Sequence, residues 1–384
     1  MVQKKPLSIY IHIPFCVKKC LYCDFASAPG DAEQMGAYVR RLIKEIRSFE
    51  AIGSLYRVDT VFFGGGTPSL LPTFYVGQIL NQLKKQYEFD PEAEISLEAN
   101  PGTLNEEKLG AYRGFGINRL SLGLQSIHES ELALLGRIHN YKDFLESYEL
   151  ARQAGFRNIN VDLMSGLPKQ TMDRWVKSLE TVAALGPEHI SAYSLSLEAG
   201  TPFHQKYSEG LGRLDMPGEE LDRAMFHETK KILESRGYSR YEFSNYAKKG
   251  FECRHNMCYW TLGEYLGFGQ AAASYLEGKR FVNPADPGAY QAASEKAYAS
   301  FRSAPKQSQK EAMEEYMFLG LRTRQGISRE DFSRRFGTGF PKQYEKELLD
   351  LYRQDLVEQS GGRIRLTDQG IDVSNIILAR FLLD

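Results

Sequence analysis

Cys16, Cys20 and Cys23 lie close together near the start of the chain, in the spacing C-x3-C-x2-C. One loop can turn three thiolates toward a single point and leave a fourth position empty. Iron–sulfur clusters are held by thiolates, and an iron without a protein ligand is open to a small molecule. The competing chemistry is a structural zinc, which is closed by four N or S ligands; His12 or Asp24 would have to complete it here. Structural zinc sites usually pair two short Cys/His hooks. No second hook is obvious in this chain, so the spacing favours a cluster.

The elements that must position these thiols are readable around them. β-rich runs fall at Ser8 to Ile13, Asp59 to Phe63, Glu94 to Glu98, Arg119 to Gln125, Asn158 to Met164 and His189 to Leu195. Amphipathic stretches alternate with them. One carries Met35, Tyr38, Val39, Leu42, Ile43, Ile46 and Phe49 at helical spacing, and residues 171 to 185 repeat the pattern with Trp175, Val176, Leu179 and Val182. These stripes are core. Parallel neighbours need crossovers of about this length, so six strand–helix units in a row predict an α/β fold with a parallel sheet and outer helices. Six units rather than eight predict an open, partial (β/α)6 barrel.

Parallel α/β folds place their chemistry at the carboxyl ends of the strands, and polar residues recur there. The first strand ends in the cysteine loop, the second in Gly64-Gly65-Gly66-Thr67-Pro68, the third in Glu98, the fourth in Gln125, and Asp162 comes late in the fifth. Each alone reads equally as a turn, a cap or a satisfied buried carboxylate. Their convergence on one rim points to a site, because charged and amide groups are an unfavourable choice for a core.

A second run, Cys253-Arg-His-Asn-Met-Cys-Tyr-Trp260, contains His255. Histidine is the usual axial ligand of haem iron, and Tyr259 and Trp260 offer flat apolar surface. A histidine beside an Asn and two aromatics is also commonly a core or capping residue. Cys253 and Cys258 form a Cx4C pair, unusual for a metal hook, and read as free thiols, with Cys258 a candidate haem contact.

Composition narrows the class. A chain of 384 residues with 42% hydrophobic residues can bury a large core and exceeds one ordinary domain. A net charge of -1 gives no general pull toward nucleic acid. Five cysteines, three of them clustered, suit metal in a reducing compartment rather than a disulfide framework. No stretch approaches the ~18 apolar residues of a membrane span, so the expectation is a cytoplasmic protein.

The run Cys16-x3-Cys20-x2-Cys23, preceded by Tyr10-Ile-His-Ile-Pro-Phe15, resembles the radical S-adenosylmethionine (radical-SAM) proteins, and among them the oxygen-independent coproporphyrinogen III oxidase group. The oxidases of that group carry a further Cys two residues after the third ligand; this chain has Phe25, as does the haem chaperone branch. The resemblance implies a [4Fe-4S] cluster on the three cysteines and S-adenosylmethionine bound by Tyr10, Gly65, Gly66, Thr67, Glu98, Gln125, Arg137 and Asp162. It fits the chemistry. The amino and carboxylate groups of S-adenosylmethionine can chelate an open iron, and glycines let backbone groups approach its methionyl part. A carboxylate such as Asp162 suits a ribose diol, and Arg137 suits a carboxylate. Arg137 alone reads as a surface ion pair. His255-Asn256-x-x-Tyr259-Trp260 resembles the HNxxYW signature that the chaperone branch links to haem binding.

The resemblance therefore implies haem binding and transfer to acceptor proteins of the respiratory chain. The rival it leaves open is oxidative decarboxylation of coproporphyrinogen III, against which stand Phe25 and the short segment before Tyr10. A third reading is a zinc-stabilised α/β protein that recruits a partner. The expected domains are a core over 1–280, a Pro-containing linker over 281–309 and a module over 310–384. That module combines helices, a Gly361-Gly362 turn and a final helix, capped by Thr367, that runs to Leu383. It reads as a small winged-helix-like α+β domain. Its arginines are interspersed with acids, which favours an interaction or lid role over DNA binding.

Overall fold

The structure, a computed structural model, describes residues 4–383. The alternation read from the sequence is realised as β1 (Lys5–Ile13), α1 (Ala32–Ser48), β2 (Tyr56–Gly65), α2 (Thr73–Gln86), β3 (Glu88–Ala99), α3 (Glu106–Phe115), β4 (Arg119–Gln125), α4 (Glu129–Leu135), α5 (Tyr141–Gln153), β5 (Ile159–Ser165), α6 (Met172–Leu185) and β6 (His189–Ser194). Local chemistry sets the ends. Asp31 and Asn140 close capping boxes on α1 and α5, and Gly116 and Gly186 take left-handed conformations that stop α3 and α6.

Strands β1 to β6 pair in sequence order, each parallel to the next. Their apolar faces pack under the helices in one continuous core that includes Ile9, Val61, Leu97, Leu122, Val161 and Ile190. Side chains from β1 and β6 border the same cavity as those from β2 to β5. The sheet is therefore rolled into a partial barrel with helices outside.

Both edges of this barrel carry more strand than the sequence patterns reveal. Past β6 come α7 (Pro202–Tyr207), α8 (Gly210–Arg213), α9 (Glu219–Ser235), β7 (Ser239–Arg240) and β8 (Asn245–Ala247); β8 runs antiparallel to β6. Next come α10 (Arg254–Trp260), β9 (Tyr265–Phe268), β10 (Ala273–Leu276) and β11 (Lys279–Val282). β9 pairs parallel with β1, so the Gly/Ala-rich segment extends the sheet past its first strand. The strand order ends in β11 on one side and β7 on the other, leaving the barrel open.

The segment 281–309, expected as a linker, is folded. α11 (Pro287–Ala293) and α12 (Ala297–Ser303) lie against α1, with Tyr290 and Phe301 buried. Buried Glu45 of α1 accepts hydrogen bonds from Tyr290 Oη (2.6 Å), Asn283 Nδ2 (2.6 Å) and the Gly269 N–H (3.0 Å).

The C-terminal module contains α13 (Gln309–Gly320), β12 (Ile327–Ser328), α14 (Arg329–Phe336), α15 (Lys342–Arg353), β13 (Val357–Ser360), β14 (Arg363–Leu366), α16 (Asp368–Asp372) and α17 (Ser374–Ala379). Its three strands form a small antiparallel sheet in the order β12-β14-β13. Three helices interleaved with these strands make the expected winged-helix-like arrangement. The single closing helix expected after Thr367 is instead two short helices, broken at Val373. No described helix is long and apolar enough to cross a membrane.

Candidate functional site

β1 delivers the chain into the cysteine loop, which folds back on itself through the Cys16 N–H to Ala28 O (3.1 Å) and the Ala28 N–H to Pro14 O (2.8 Å). Cys16, Cys20 and Cys23 are half-buried and border one cavity of about 280 Å3. Among the described residues no three His, Cys, Asp or Glu side chains converge closely enough for a single metal ion. His12, a possible fourth zinc ligand, faces elsewhere: its Nε2 lies 2.9 Å from Ala26 O and its Nδ1 3.1 Å from Tyr10 Oη.

The end of β2 lies directly on this loop. Gly66 and Thr67 donate their N–H groups to Ile13 O and Phe15 O, both at 2.8 Å. A Cβ on Gly66 would stand 2.7 Å from Phe15 O and 3.0 Å from Cys16 Sγ, and Gly65 has φ 109°, so this approach requires glycine. The Gly65 N–H donates to Glu98 Oε2 at 3.1 Å.

A chain of polar contacts joins two of the thiols. Thr67 Oγ1 donates to Cys16 Sγ (3.7 Å) and accepts from Asn100 Nδ2 (2.8 Å); Asn100 Oδ1 accepts from Arg137 Nη2 (2.6 Å). Arg137 Nη2 also donates to Gly123 O (2.6 Å), and its Nη1 to Cys20 Sγ (3.4 Å). Arg137 thus faces the cavity, and the surface ion pair that its sequence position allows is not formed.

The far wall holds two carboxyls. Withdrawal from water raises Glu98 to about 8; Asp162 pushes the same way, against the Gly65 N–H. Asp162 is likewise raised by burial, although Asn160 Nδ2 (2.7 Å) and Ser121 Oγ (3.3 Å) donate to it. Gln125 adopts φ 71° at the irregular end of the β4–β5 pairing, and its Oε1 accepts from Tyr193 Oη at 2.7 Å. A left-handed non-glycine residue is strain of the kind that collects at sites.

The cysteines, Gly65, Gly66, Thr67, Glu98, Gln125, Arg137 and Asp162 therefore border one cavity. Tyr10 borders a second, of about 320 Å3, which opens against the first. Asn100, Tyr22, Tyr193 and Ser121 also border the first cavity and were not read from the sequence. Asn100 carried a usable signal, two residues after Glu98 and so on the same strand face.

His255 lies at the wall of the second cavity. It is buried on α10, with Nδ1 2.7 Å from Thr60 Oγ1 and Nε2 2.7 Å from Tyr259 Oη. Burial, with a smaller push from Arg119, lowers its pKa to about 3. Both ring nitrogens therefore face hydroxyls, and the residue borders the second cavity. Glu94 holds the start of α10 by accepting from the Arg254 and His255 N–H groups. Tyr259 and Trp260 do not share a face, since Tyr259 borders the second cavity while Trp260 lies against the C-terminal module. The Cys258 thiol donates to Glu264 O at 3.6 Å, and burial raises it to about 11.

A partial parallel barrel with three cysteines in the loop after its first strand defines a class, the radical SAM proteins. The family model described as the radical SAM superfamily matches residues 10–182, and that of the HemN C-terminal domain matches residues 307–373. The heme chaperone HemW of Lactococcus lactis is 37% identical over 99% of this chain and 98% of its own length. That of Bacillus subtilis is 36% identical over 98% and 99%. The mitochondrial radical S-adenosyl methionine domain-containing protein 1 of Bos taurus is 32% identical over 98% and 87%. Among solved structures, coproporphyrinogen III oxidase of Escherichia coli superposes with a TM-score of 0.85 over 99% of this chain and 90% of its own, at 23% identity. The chain belongs to the radical SAM superfamily and, within it, to the HemW family of haem chaperones.

Proposed function

We propose that this protein binds haem and passes it to acceptor proteins of the respiratory chain. On this reading Cys16, Cys20 and Cys23 hold a [4Fe-4S] cluster, and Gly65, Gly66, Thr67, Glu98, Gln125, Arg137 and Asp162, with Tyr10 below them, hold S-adenosylmethionine. The observation that carries the cofactor reading is the convergence of three thiols, a glycine edge and two carboxyls on one cavity. Relatives named as haem chaperones, matching over nearly their whole length, support the haem reading. The likeness to coproporphyrinogen III oxidase, at 23% identity, concerns the fold and does not favour that chemistry here.

When bound, the cluster supplies an iron that the amino and carboxylate groups of the nucleotide can chelate. The chain's residues do the rest. Thr67 and Arg137 donate to Cys16 and Cys20 and fix where those thiolates point. Gly66 lets the β2 backbone lie on the loop. Asp162 and Glu98 offer oxygens to a ribose diol. The core over 1–280 and the module over 310–384 are one proposed division, with 281–309 joined to the core.

Protein prepared without oxygen tests this. Wild type is expected to contain iron and acid-labile sulfide, to retain S-adenosylmethionine in equilibrium dialysis, and to give a saturable Soret band shifted from that of free haemin when titrated with haemin. The triple variant Cys16→Ala, Cys20→Ala, Cys23→Ala is expected to lose the iron and the nucleotide. Unchanged iron and nucleotide retention in that variant overturns the cofactor reading, and a haemin titration of wild type whose Soret band stays that of free haemin overturns the haem reading.

A further inference from the structure

The second cavity contains a buried arginine that makes no ion pair in contact, although the charges of Glu94 and Asp162 reach it. Arg119 opens β4, is 2% exposed and borders this space of about 320 Å3. Its Nε is buried with no hydrogen-bond partner. The carboxylates whose charges reach it are engaged elsewhere. Glu94 accepts from the Arg254 and His255 N–H groups and from the Cys253 thiol, Asp162 from Asn160 and Ser121, and Glu98 from the Gly65 N–H. A guanidinium keeps its proton at any ordinary pH, so burying one without a partner is unfavourable.

Flat apolar surface adjoins the polar end. The Phe62 ring stacks on His255 (centroids 5.2 Å apart) and on Tyr10 (6.4 Å). The cavity shares Phe25, Gly65, Glu98, Ser121, Asp162 and Tyr193 with the first, and Tyr10 of the proposed nucleotide site borders it as well, so a ligand seated here lies against that site.

We propose that Arg119 is the anchor for a carboxylate-bearing ligand, namely a propionate arm of the haem. The forked donors of arginine match a carboxylate. The volume is at the small end of ligand sites, which suits an acidic arm entering while the macrocycle stays outside. The inference rests on the haem reading above and adds where haem is gripped and by which group.

Haemin and its dimethyl ester, in which both propionates are blocked, separate the two claims. Wild-type protein is expected to bind haemin roughly ten- to a hundredfold more tightly than the ester, as loss of a charged hydrogen-bond pair implies. Arg119→Gln is expected to weaken haemin to the level of the ester and to leave the ester unchanged; Arg119→Lys is expected to restore part of the difference. Equal binding of haemin and ester by wild type overturns the inference and leaves the haem reading standing, and this comparison needs no variant to fold. Equal haemin affinity in wild type and a folded Arg119→Gln also overturns it. Binding of neither compound by wild type removes the haem reading and the inference together.

Discussion

Asn100 ties together two side chains that reach the cysteine loop from different segments, Thr67 just after β2 and Arg137 just after α4. Its amide donates to Thr67 and accepts from Arg137, and those two donate in turn to Cys16 and Cys20. Asn100→Ala leaves the Thr67 hydroxyl without its donor and removes one of the two acceptors of Arg137 Nη2. The expected result is a loss of about 1 kcal/mol of stability, read as a lower urea midpoint, together with faster release of labelled S-adenosylmethionine from protein prepared without oxygen. Unaltered release would show that the relay does not position the thiols. At this scale much of the first cavity is legible in the sequence, since Glu98, Gln125 and Asp162 are polar residues ending apolar strands. Arg119 was missed, although Arg119, Ser121, Gly123 and Gln125 alternate along one face of a strand that is buried throughout. A strand buried on both faces hides that alternation among apolar neighbours. The surroundings of His255 were not legible: residue type names what a side chain can ligate, and only packing shows that Thr60 and Tyr259 lie against both nitrogens.

The six barrel strands announce themselves through long apolar runs, whereas β7 to β11 are two to four residues each, too short for periodicity to register. The segment 281–309 reads as a linker because its prolines and polar residues break the pattern, yet Tyr290 and Phe301 pin it to α1. Glu45 is the residue that makes this docking specific. It sits among Val39, Leu42 and Ile46 on the buried face of α1, where a carboxylate is out of place unless satisfied. Burial raises Glu45 to about 7 from an ordinary value near 4.5; Tyr290, Asn283 and the Gly269 N–H oppose that shift. Between these values the unfolded chain has lost the proton while the folded chain keeps it. The stability contributed by this group is thus complete below about pH 4.5 and falls as pH rises toward 7, by on the order of 3 kcal/mol. Denaturant titrations from pH 4.5 to 7.5 are expected to show that decline in wild type and a flatter profile in Glu45→Gln, whatever the absolute stability of the variant. An identical slope in both would mean that Glu45 titrates normally.

The C-terminal module and the barrel share apolar surface. Leu262 and Tyr275, which flank β9, are buried in the same cluster as Met317, Leu321 and Phe332 of the module, with Phe243 and Tyr265 packed at its edge. Polar contacts reinforce the join: Arg335 donates to Leu262 O and Thr261 O just after α10, both at 3.0 Å, and Lys230 and Arg240 of the barrel pair with Asp368. The exposed ion pairs add little in water, so apolar burial dominates this interface. Each large side chain returned to water costs about 1.5–3 kcal/mol, and stopping the chain at residue 309 uncovers several at once. The full chain is therefore expected to unfold in one cooperative transition. A chain of residues 1–309 is expected to melt at lower temperature, to bind an apolar dye and to self-associate in gel filtration. A monomeric 1–309 fragment with the melting temperature of the full chain would mean that the barrel is complete without the module, and that Arg335 does not brace the end of α10.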